Sequence, residues 1–191
     1  MLSAFDPITW QPRRIAIAGV SGSGKTTLAK RVSEVLGLPY TEMDSLFHGP
    51  DWQPRDEFAA DVHQLISGDE WVIEWQYAAV RDRIVERADT MVWLDLPTPQ
   101  TLYQLTRRTV HRRMRRVELW NGNYEGPLHE FFTDPEHIVR WGIRTRNTCR
   151  DRLPAIDALH KHLHVVRLRS RRESMHWLAK LFAAHSGLRG A

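Results

Sequence analysis

The residues Gly19-Val20-Ser21-Gly22-Ser23-Gly24-Lys25-Thr26 match the pattern G-x-x-x-x-G-K-[ST] without a mismatch. An apolar run at 15–18 precedes the pattern, and helical periodicity from about Lys25 to Leu36 follows it. The pattern requires this strand–loop–helix context, because its glycines let backbone amides fold around phosphate groups at the positive end of a helix. The sequence therefore predicts a phosphate-binding loop (P-loop).

The loop residues have predictable contacts with a nucleoside triphosphate. Lys25 is expected to reach the β- and γ-phosphates, and the hydroxyl of Thr26 is expected to be a ligand of Mg²⁺. The residues predicted to bind the nucleotide are Gly19, Ser21, Gly22, Ser23, Gly24, Lys25, Thr26 and Thr27.

Strand and helix signals alternate from Arg14 onward, which is typical of an α/β fold with a parallel sheet. Because the apolar runs do not alternate with polar residues, we expect strands that are buried on both faces. The five predicted strands are 15–18, 40–43, 71–73, 91–94 and 163–168. Helical periodicity resumes from about Pro135. The length of 191 residues suits a single domain, 1–191.

Composition excludes several classes of protein. No apolar run approaches the roughly 18 residues that a membrane helix needs, so no membrane association is expected. The first residues, 1–12, lack the pattern of a secretion signal. One cysteine, Cys149, agrees with a reducing compartment, and we expect a cytoplasmic location.

Charge is distributed unevenly along the chain. Residues 1–106 carry 9 basic and 15 acidic side chains (−6), and residues 107–191 carry 18 basic and 8 acidic side chains (+10), which gives the net charge of +4. Six arginines fall within 107–116, and such a cluster attracts phosphate on a nucleotide or on a nucleic-acid backbone.

The chain resembles the adenylate-kinase-like P-loop kinases, and more narrowly the topology modulation proteins. The motifs that carry this resemblance are 19–27, Met43-Asp44-Ser45-Leu46, Trp71-Val72-Ile73-Glu74, Arg87-Ala88-Asp89-Thr90 with Leu94-Asp95-Leu96-Pro97, and the arginine cluster. The resemblance implies a five-stranded parallel sheet of the nucleoside-monophosphate-kinase type, with helices on both faces and ATP as phosphoryl donor. It also implies an acceptor-binding insertion at about 45–69 and an arginine-bearing lid at about 107–134. Such relatives usually have glycine after the acidic residue of the third strand, whereas Trp75 follows Glu74 here.

Two carboxylates are candidates for the chemistry. Ligands of open parallel sheets lie beyond the carboxyl ends of the strands, and Asp44 and Glu74 are predicted to end the second and third strands. Either could hold Mg²⁺, for which Asp44 is the predicted ligand beside Thr26, or accept the proton of an attacking hydroxyl. The alternative for Asp44 is a structural role at the start of a helix.

Arginines are the predicted source of positive charge on the transferred group. Arg108 and Arg112 share a helical face, as would Arg112 with Arg115 and Arg116, and the first two are our catalytic candidates. Arg55 and Arg81, with Arg83 as an alternative, are candidates for holding an acceptor phosphate. Trp52 and Trp75 are the tryptophans expected near the acceptor. The alternative for each arginine is a solvated surface position.

These features favour a kinase that moves a phosphoryl group from ATP to a small acceptor of unknown identity. One alternative is a nucleic-acid-associated regulator that uses the arginine cluster as a grip, and another is a simple nucleotide hydrolase. The sequence disfavours the hydrolase mildly, since no glutamine is clearly placed to orient water. The similar kinases are often monomeric.

Overall fold

The sheet is built from the apolar runs of the sequence. The computed structural model describes residues 1–134 and 137–189. Its strands are β1 (Leu2–Ser3), β2 (Arg14–Gly19), β3 (Tyr40–Thr41), β4 (Trp71–Glu74), β5 (Thr90–Leu94) and β6 (His164–Leu168). They lie in the order β1-β6-β5-β2-β4-β3, and every neighbouring pair is parallel. The predicted α/β fold class is confirmed, and a sixth strand, β1, accompanies the five predicted ones. With two residues, β1 is too short to show a periodicity.

Helices cover both faces of this sheet. They are α1 (Lys25–Leu36), α2 (Met43–Phe47), α3 (Phe58–Ser67), α4 (Arg81–Arg87), α5 (Thr98–Met114), α6 (Glu130–Thr133), α7 (Ile138–Arg144), α8 (Thr148–Leu159) and α9 (Arg171–Arg189). Two short 3-10 turns occupy Pro50–Trp52 and Trp120–Gly122. Within the described ranges, no helix is both long and apolar enough to cross a bilayer.

The core has two layers, one on each side of the sheet. One layer packs α3, α4 and α8 against the sheet through side chains such as Val62, Ile84 and Leu153. The other packs α1 and α9 through side chains such as Val32 and Trp177. The central strands β2, β4 and β5 have almost entirely buried residues, as expected of strands that are covered on both faces.

Strand order places the P-loop at the centre of the sheet. Strand β2, which feeds the loop, lies between β4 and β5, so the chain leaves it toward one edge and later returns to the other side. This reversal opens a crevice at the carboxyl ends of β2, β4 and β5, where open α/β sheets bind ligands.

Two local predictions were wrong. The second strand ends at Thr41, and Asp44 lies in the first turn of α2, with Glu42 as the residue that precedes the helix. Helix α5 ends at Met114, so Arg115 and Arg116 do not share its face. The predicted helix start at Pro135 lies outside the described residues, and α7 begins at Ile138.

Candidate active site

The P-loop has the backbone conformation that its glycines allow. Gly22 and Gly24 have φ angles of +80° and +92°, in the left-handed region that disfavours other residues. A Cβ atom on Gly22 would lie 2.3 Å from the carbonyl oxygen of Thr101 and 2.9 Å from the Cβ of Leu105, both in α5. The loop therefore packs directly against α5, the helix that carries the arginine cluster.

We expect Gly22→Ala to lower the free energy of unfolding by about 2–5 kcal/mol, the sum of left-handed backbone strain and overpacking against α5. Gly24→Ala is the matched control, since nothing lies within 4 Å of its added Cβ and only backbone strain of about 1–2 kcal/mol applies. Denaturant unfolding of both variants measures the difference. Equal losses in the two would contradict the packing of α5 on the loop.

The predicted Mg²⁺ ligand of the loop contacts a strand-end carboxylate. The Thr26 hydroxyl donates to Oε1 of Glu74 at 2.6 Å, and the Tyr40 hydroxyl donates to the same oxygen at 3.2 Å. Glu74 is 1% exposed. Burial raises the pKa of the Glu74 carboxyl, while the charge of Lys25 and the hydrogen bond from Thr26 lower it. The Lys25 ammonium lies 3.3 Å from the carbonyl oxygen of Val20, inside the loop.

These residues fit a magnesium ion. Thr26, Glu74 and Asp44 offer hard oxygen donors, and a buried carboxylate that burial drives toward neutrality gains from a nearby cation. Among the described residues no group of three or more His, Cys, Asp or Glu could form a metal cage. Mg²⁺ usually keeps several waters and binds through one or two protein ligands and substrate phosphates, and the hydroxyl of Thr26 and the carboxylate of Glu74 could be such ligands.

The carboxylate of Asp44 is held by uncharged donors. Gln76 Nε2 and the Tyr77 hydroxyl both donate to its Oδ1, each at 2.6 Å. Nε2 of His48 lies 3.3 Å from the Tyr77 hydroxyl oxygen. Burial raises the pKa of Tyr77, as does the charge of Asp44. Burial lowers the pKa of His48, and Asp44 acts in the opposite direction. Both of these donors bind Oδ1, and no hydrogen bond to Oδ2 is found among the described residues.

These partners of Asp44 were missed by the sequence reasoning. Gln76 and Tyr77 lie two and three residues after the acidic end of β4, which is the signal that could have identified them. The sequence showed no glutamine clearly placed to orient water, and the amide nitrogen of Gln76 donates to Asp44.

Arg108 lies on α5, the helix that packs on the P-loop. The side chain of Arg108 is exposed. Desolvation by the surrounding protein nevertheless lowers the pKa of Arg108, and the neighbouring positive charge of Arg112 lowers it further. The carboxylates of Glu125, Asp44 and Glu74 act in the opposite direction. Arg108 lies one helical turn after Leu105, which packs on Gly22, so it lies on the side of α5 that is next to the P-loop.

Arg112 is placed differently from Arg108. It pairs with Glu125 at 3.5 Å and lies over the ring of Trp120, 5.7 Å from the ring centre. Arg113 donates to the carbonyl oxygen of Glu125 at 3.2 Å. A cavity of about 460 Å³ is lined by Arg112, Arg113, Arg116, Tyr124 and Glu125. Three members of the arginine cluster thus line this basic cavity.

The predicted lid is docked on the predicted acceptor insertion through two similar turns. Residues 50–53 and 120–123 each form a turn whose two central residues have positive φ angles. Asn123, 4% exposed, donates to the carbonyl oxygen of Gly49 at 2.8 Å and accepts from the backbone N–H of Trp52 at 2.9 Å. Asn121 donates to the carbonyl oxygen of His48.

Trp52 lies at this junction. Its indole N–H donates to the carbonyl oxygen of Tyr124 at 3.2 Å, and its ring contacts those of His48 and Trp120. Trp75, in contrast, is 3% exposed and belongs to the hydrophobic core, so the expectation that it borders the acceptor was wrong.

The arginines predicted to hold an acceptor phosphate are not gathered at Asp44. Arg55 donates to the carbonyl oxygen of Leu46 at 3.2 Å and pairs with Asp61 at 3.0 Å. Arg81 lies over the ring of Trp75 at 5.1 Å, and Arg83 forms an exposed pair with Glu86 at 2.8 Å.

Asp95 has a structural place. It pairs with Arg150 at 2.8 Å and with Arg167, whose Nε donates at 2.9 Å. These two ion pairs connect the end of β5 to α8 and to β6, which agrees with the structural turn expected from Leu96-Pro97. Cys149 is buried, and burial raises the pKa of its thiol.

Comparison with known proteins places the chain among small kinases. No family model matches the chain. Shikimate kinase from Symbiobacterium thermophilum is 31% identical over 117 residues, which cover 52% of this chain and 67% of that protein. Cytidylate kinase from Nitratidesulfovibrio vulgaris is 41% identical over 49 residues, which cover 22% of this chain and 21% of that protein. Both relatives are kinases, which confirms the predicted enzyme class, a phosphotransferase.

Solved structures show the same fold. Shikimate kinase from Acinetobacter baumannii, in complex with shikimate, has a TM-score of 0.55 at 15% identity and covers 93% of this chain and 95% of its own. A gluconokinase from Sinorhizobium meliloti has a TM-score of 0.50 at 19% identity and covers 93% and 96%. At these identities the likeness establishes the fold and leaves the acceptor open.

Proposed function

This chain belongs to the family of P-loop kinases that includes shikimate kinase, and we propose that it transfers the γ-phosphoryl group of ATP to a hydroxyl of a small acceptor. One observation carries the proposal. The P-loop threonine contacts Glu74 at 2.6 Å, and α5, the helix that carries Arg108, packs on the same loop. A phosphate-binding loop, a candidate base and a candidate cation thus meet at one site.

Each residue has a role in the proposed reaction. The P-loop amides and Lys25 hold the β- and γ-phosphates, and Arg108 stabilises the charge on the transferred group. Oδ2 of Asp44 accepts the proton of the acceptor hydroxyl as that oxygen attacks phosphorus and the bond to the β-phosphate oxygen breaks. Thr26, Glu74 and Asp44 would hold Mg²⁺ directly or through water, and the ion would neutralise phosphate charge.

The resemblance supplies the finer parts of the proposal. We assign ATP as the donor because the relatives are kinases, and we assign acceptor binding to the insertion at 45–69 and lid closure to 107–134. Docking of 120–123 on 48–53 supports a lid that closes over the acceptor. Membership in the topology modulation proteins is a hypothesis that rests on the quoted motifs.

Replacement of Lys25 by Met tests the proposal. The variant is expected to lower kcat about 10²–10³-fold, because a charge that acts on the transferred phosphate is lost while the chain keeps its apolar stem. Coupled measurement of ADP formation with a panel of hydroxyl acceptors gives the rate, and circular dichroism checks the fold.

Lys30→Met is the matched control, since Lys30 lies on the same helix and its exposed side chain forms a loose pair with Glu42 at 3.8 Å. Its turnover is expected to match that of the unsubstituted protein. Normal turnover in folded Lys25→Met would contradict the assignment, and ADP formation that no acceptor accelerates would favour a simple hydrolase.

A further inference from the structure

Tyr77 has a backbone conformation that its side chain disfavours. Its φ angle is +60°, in the left-handed region, where a bulky residue is an outlier. Such a conformation persists only where surrounding contacts hold it, and outliers of this kind cluster at functional sites. The ring of Tyr77 stacks on that of Phe47 at 4.0 Å and meets the edge of the Phe58 ring at 5.1 Å, between centres. Packing therefore holds this strained residue in place.

The turn at Tyr77 brings two consecutive side chains to one atom. In an extended strand, neighbouring side chains point to opposite faces of the sheet. Strand β4 ends at Glu74, however, whose carbonyl oxygen accepts from the backbone N–H of Gln76. The carbonyl oxygen of Tyr77 accepts from the backbone N–H of Val80. Because the chain leaves the extended conformation here, Gln76 and Tyr77 both reach Oδ1 of Asp44, each at 2.6 Å.

Two donors on one oxygen restrain the carboxylate of Asp44. Rotation about its Cβ–Cγ bond would break both hydrogen bonds, and bonds to an ionised group are the stronger kind. Within residues 1–134 and 137–189, no hydrogen bond reaches Oδ2. The carboxylate is thus held through one oxygen, and the other oxygen, the proton acceptor of the proposed reaction, keeps a fixed direction.

His48 extends this network behind Tyr77. The hydroxyl proton of Tyr77 goes to Asp44, so in the 3.3 Å contact between the Tyr77 oxygen and Nε2 of His48 the imidazole is the donor. The predicted lid holds His48 in turn, since the side chain of Asn121 donates to its carbonyl oxygen and the ring of Trp120 lies 6.1 Å from its ring. Hydrogen bonds arranged in such a row polarise one another and strengthen the row.

We propose that Tyr77 and Gln76 are positioning residues that hold the carboxylate of Asp44 toward the acceptor hydroxyl. His48 positions Tyr77 through the next hydrogen bond of the row. This inference rests on the proposed function. None of the three residues exchanges a proton or a bond with the substrates, and each acts through Asp44. The strained backbone of Tyr77 is part of this device, because it lets two consecutive side chains converge on the base.

Tyr77→Phe removes the hydroxyl and keeps the ring that packs on Phe47. We expect kcat to fall about 10–10²-fold, the effect of misplacing a reacting group, while KM for ATP changes less than about twofold. Single-turnover transfer from ATP to a panel of nucleosides, nucleoside monophosphates and sugars gives the rate, and circular dichroism checks the fold. Tyr103→Phe is the matched control, since Tyr103 lies on α5 with its side chain 67% exposed, and its kcat is expected to be unchanged.

Double variants separate positioning from a purely structural role. The asparagine of Asp44→Asn cannot take the proton, so its orientation matters little. Adding Tyr77→Phe to Asp44→Asn is therefore expected to lower kcat by less than about threefold further. The same is expected of Gln76→Met, which keeps the length of the side chain and removes its N–H donor. A structural role that is independent of the base predicts instead that the losses of the single variants multiply.

A conservative pair of variants tests His48. Glutamine carries an N–H donor at a similar reach to Nε2 of histidine, so His48→Gln is expected to keep kcat within about threefold, whereas His48→Leu lowers it about tenfold. Equal kcat in these two variants would remove His48 from the network.

Failure of this inference is distinguishable from failure of the proposed function. Normal kcat in folded Tyr77→Phe and Gln76→Met, or losses that multiply in the double variants, would overturn the positioning roles. The kinase proposal would stay intact in that case if Asp44→Asn alone is impaired. Transfer to no acceptor of the panel by a protein that still binds ATP would overturn both.

Discussion

Asp44→Asn is expected to lower kcat by about 10²–10⁴-fold while leaving the affinity for ATP nearly unchanged. The amide is nearly the same size as the carboxylate but cannot take the proton of the attacking hydroxyl. Gln76 and Tyr77 both donate to Oδ1 of Asp44. The asparagine keeps an oxygen for these two donors when its amide nitrogen occupies the former position of Oδ2. The substitution then changes only the atom at the position proposed to accept the proton of the acceptor hydroxyl. Single-turnover phosphoryl transfer and equilibrium binding of ATP measure the two quantities separately.

Asp51→Asn is the matched control for this change. Asp51 lies seven residues after Asp44, is exposed, and has a φ angle of +53° that asparagine tolerates well. It should leave kcat unchanged. The role of the two carboxylates would be refuted by near-normal rates in both Asp44→Asn and Glu74→Gln.

The centre of the fold could be predicted because its signals are local. A run of apolar residues, 15–18, leads into a loop whose glycines meet a strict steric demand, and the following helix closes with Gly37 in the left-handed conformation, with φ +70°. Strands buried on both faces need continuous apolar runs, so β4 and β5 were also recognisable.

Predictions failed where tertiary contacts decide the local structure. The segment 40–43 has a strand-like pattern, yet only two of its residues pair with β4 before Met43 turns into the core as the first residue of α2. Asp44 therefore reaches the crevice from a helix, one of the alternatives that its residue type allows. The burial of Trp75 under α4 likewise depends on a partner, Arg81, that its own position does not reveal.

The acceptor side of the site depends on contacts between distant parts of the chain. Asn123 bonds to Gly49 across 74 positions, and Gln76 bonds to Asp44 across 32. Asparagine in a loop is ordinarily read as a turn former, and only the fold shows that this one is buried and joins two loops. Periodicity carries no information about such pairs.

The docking of these two loops affects how lid closure should be observed. The turn at 120–123 already bonds to the turn at 50–53 through Asn123. Further closure on ligand binding is therefore expected mainly in the arginine-bearing end of α5 and in 115–119. Hydrogen exchange over 107–134 is expected to slow when a nonhydrolysable ATP analogue and an acceptor bind together, most strongly outside 120–123.

Arg108→Ala is expected to reduce kcat by about 10³–10⁵-fold, the range that arginine fingers supply in phosphoryl transfer. Arg108 is suited to this role because it lies one turn after Leu105, which packs on the P-loop, whereas Arg112 pairs with Glu125 and lies over the ring of Trp120. Arg112→Ala is therefore expected to have a smaller effect than Arg108→Ala, although our sequence prediction gave the two arginines the same role.

Arg107→Ala is the control that separates this role from general positive charge. Arg107 is exposed and precedes Arg108 on α5, so its side chain points about 100° away around the helix axis. A nucleic-acid grip predicts that Arg107→Ala and Arg108→Ala each reduce the salt dependence of DNA or RNA binding by about one unit and leave nucleotide turnover alone. A catalytic role predicts a large loss of turnover in Arg108→Ala and near-normal turnover in Arg107→Ala. Equal turnover in both variants, with salt-sensitive nucleic-acid binding that both weaken, would show that the cluster binds a phosphate backbone and does not act on the transferred group.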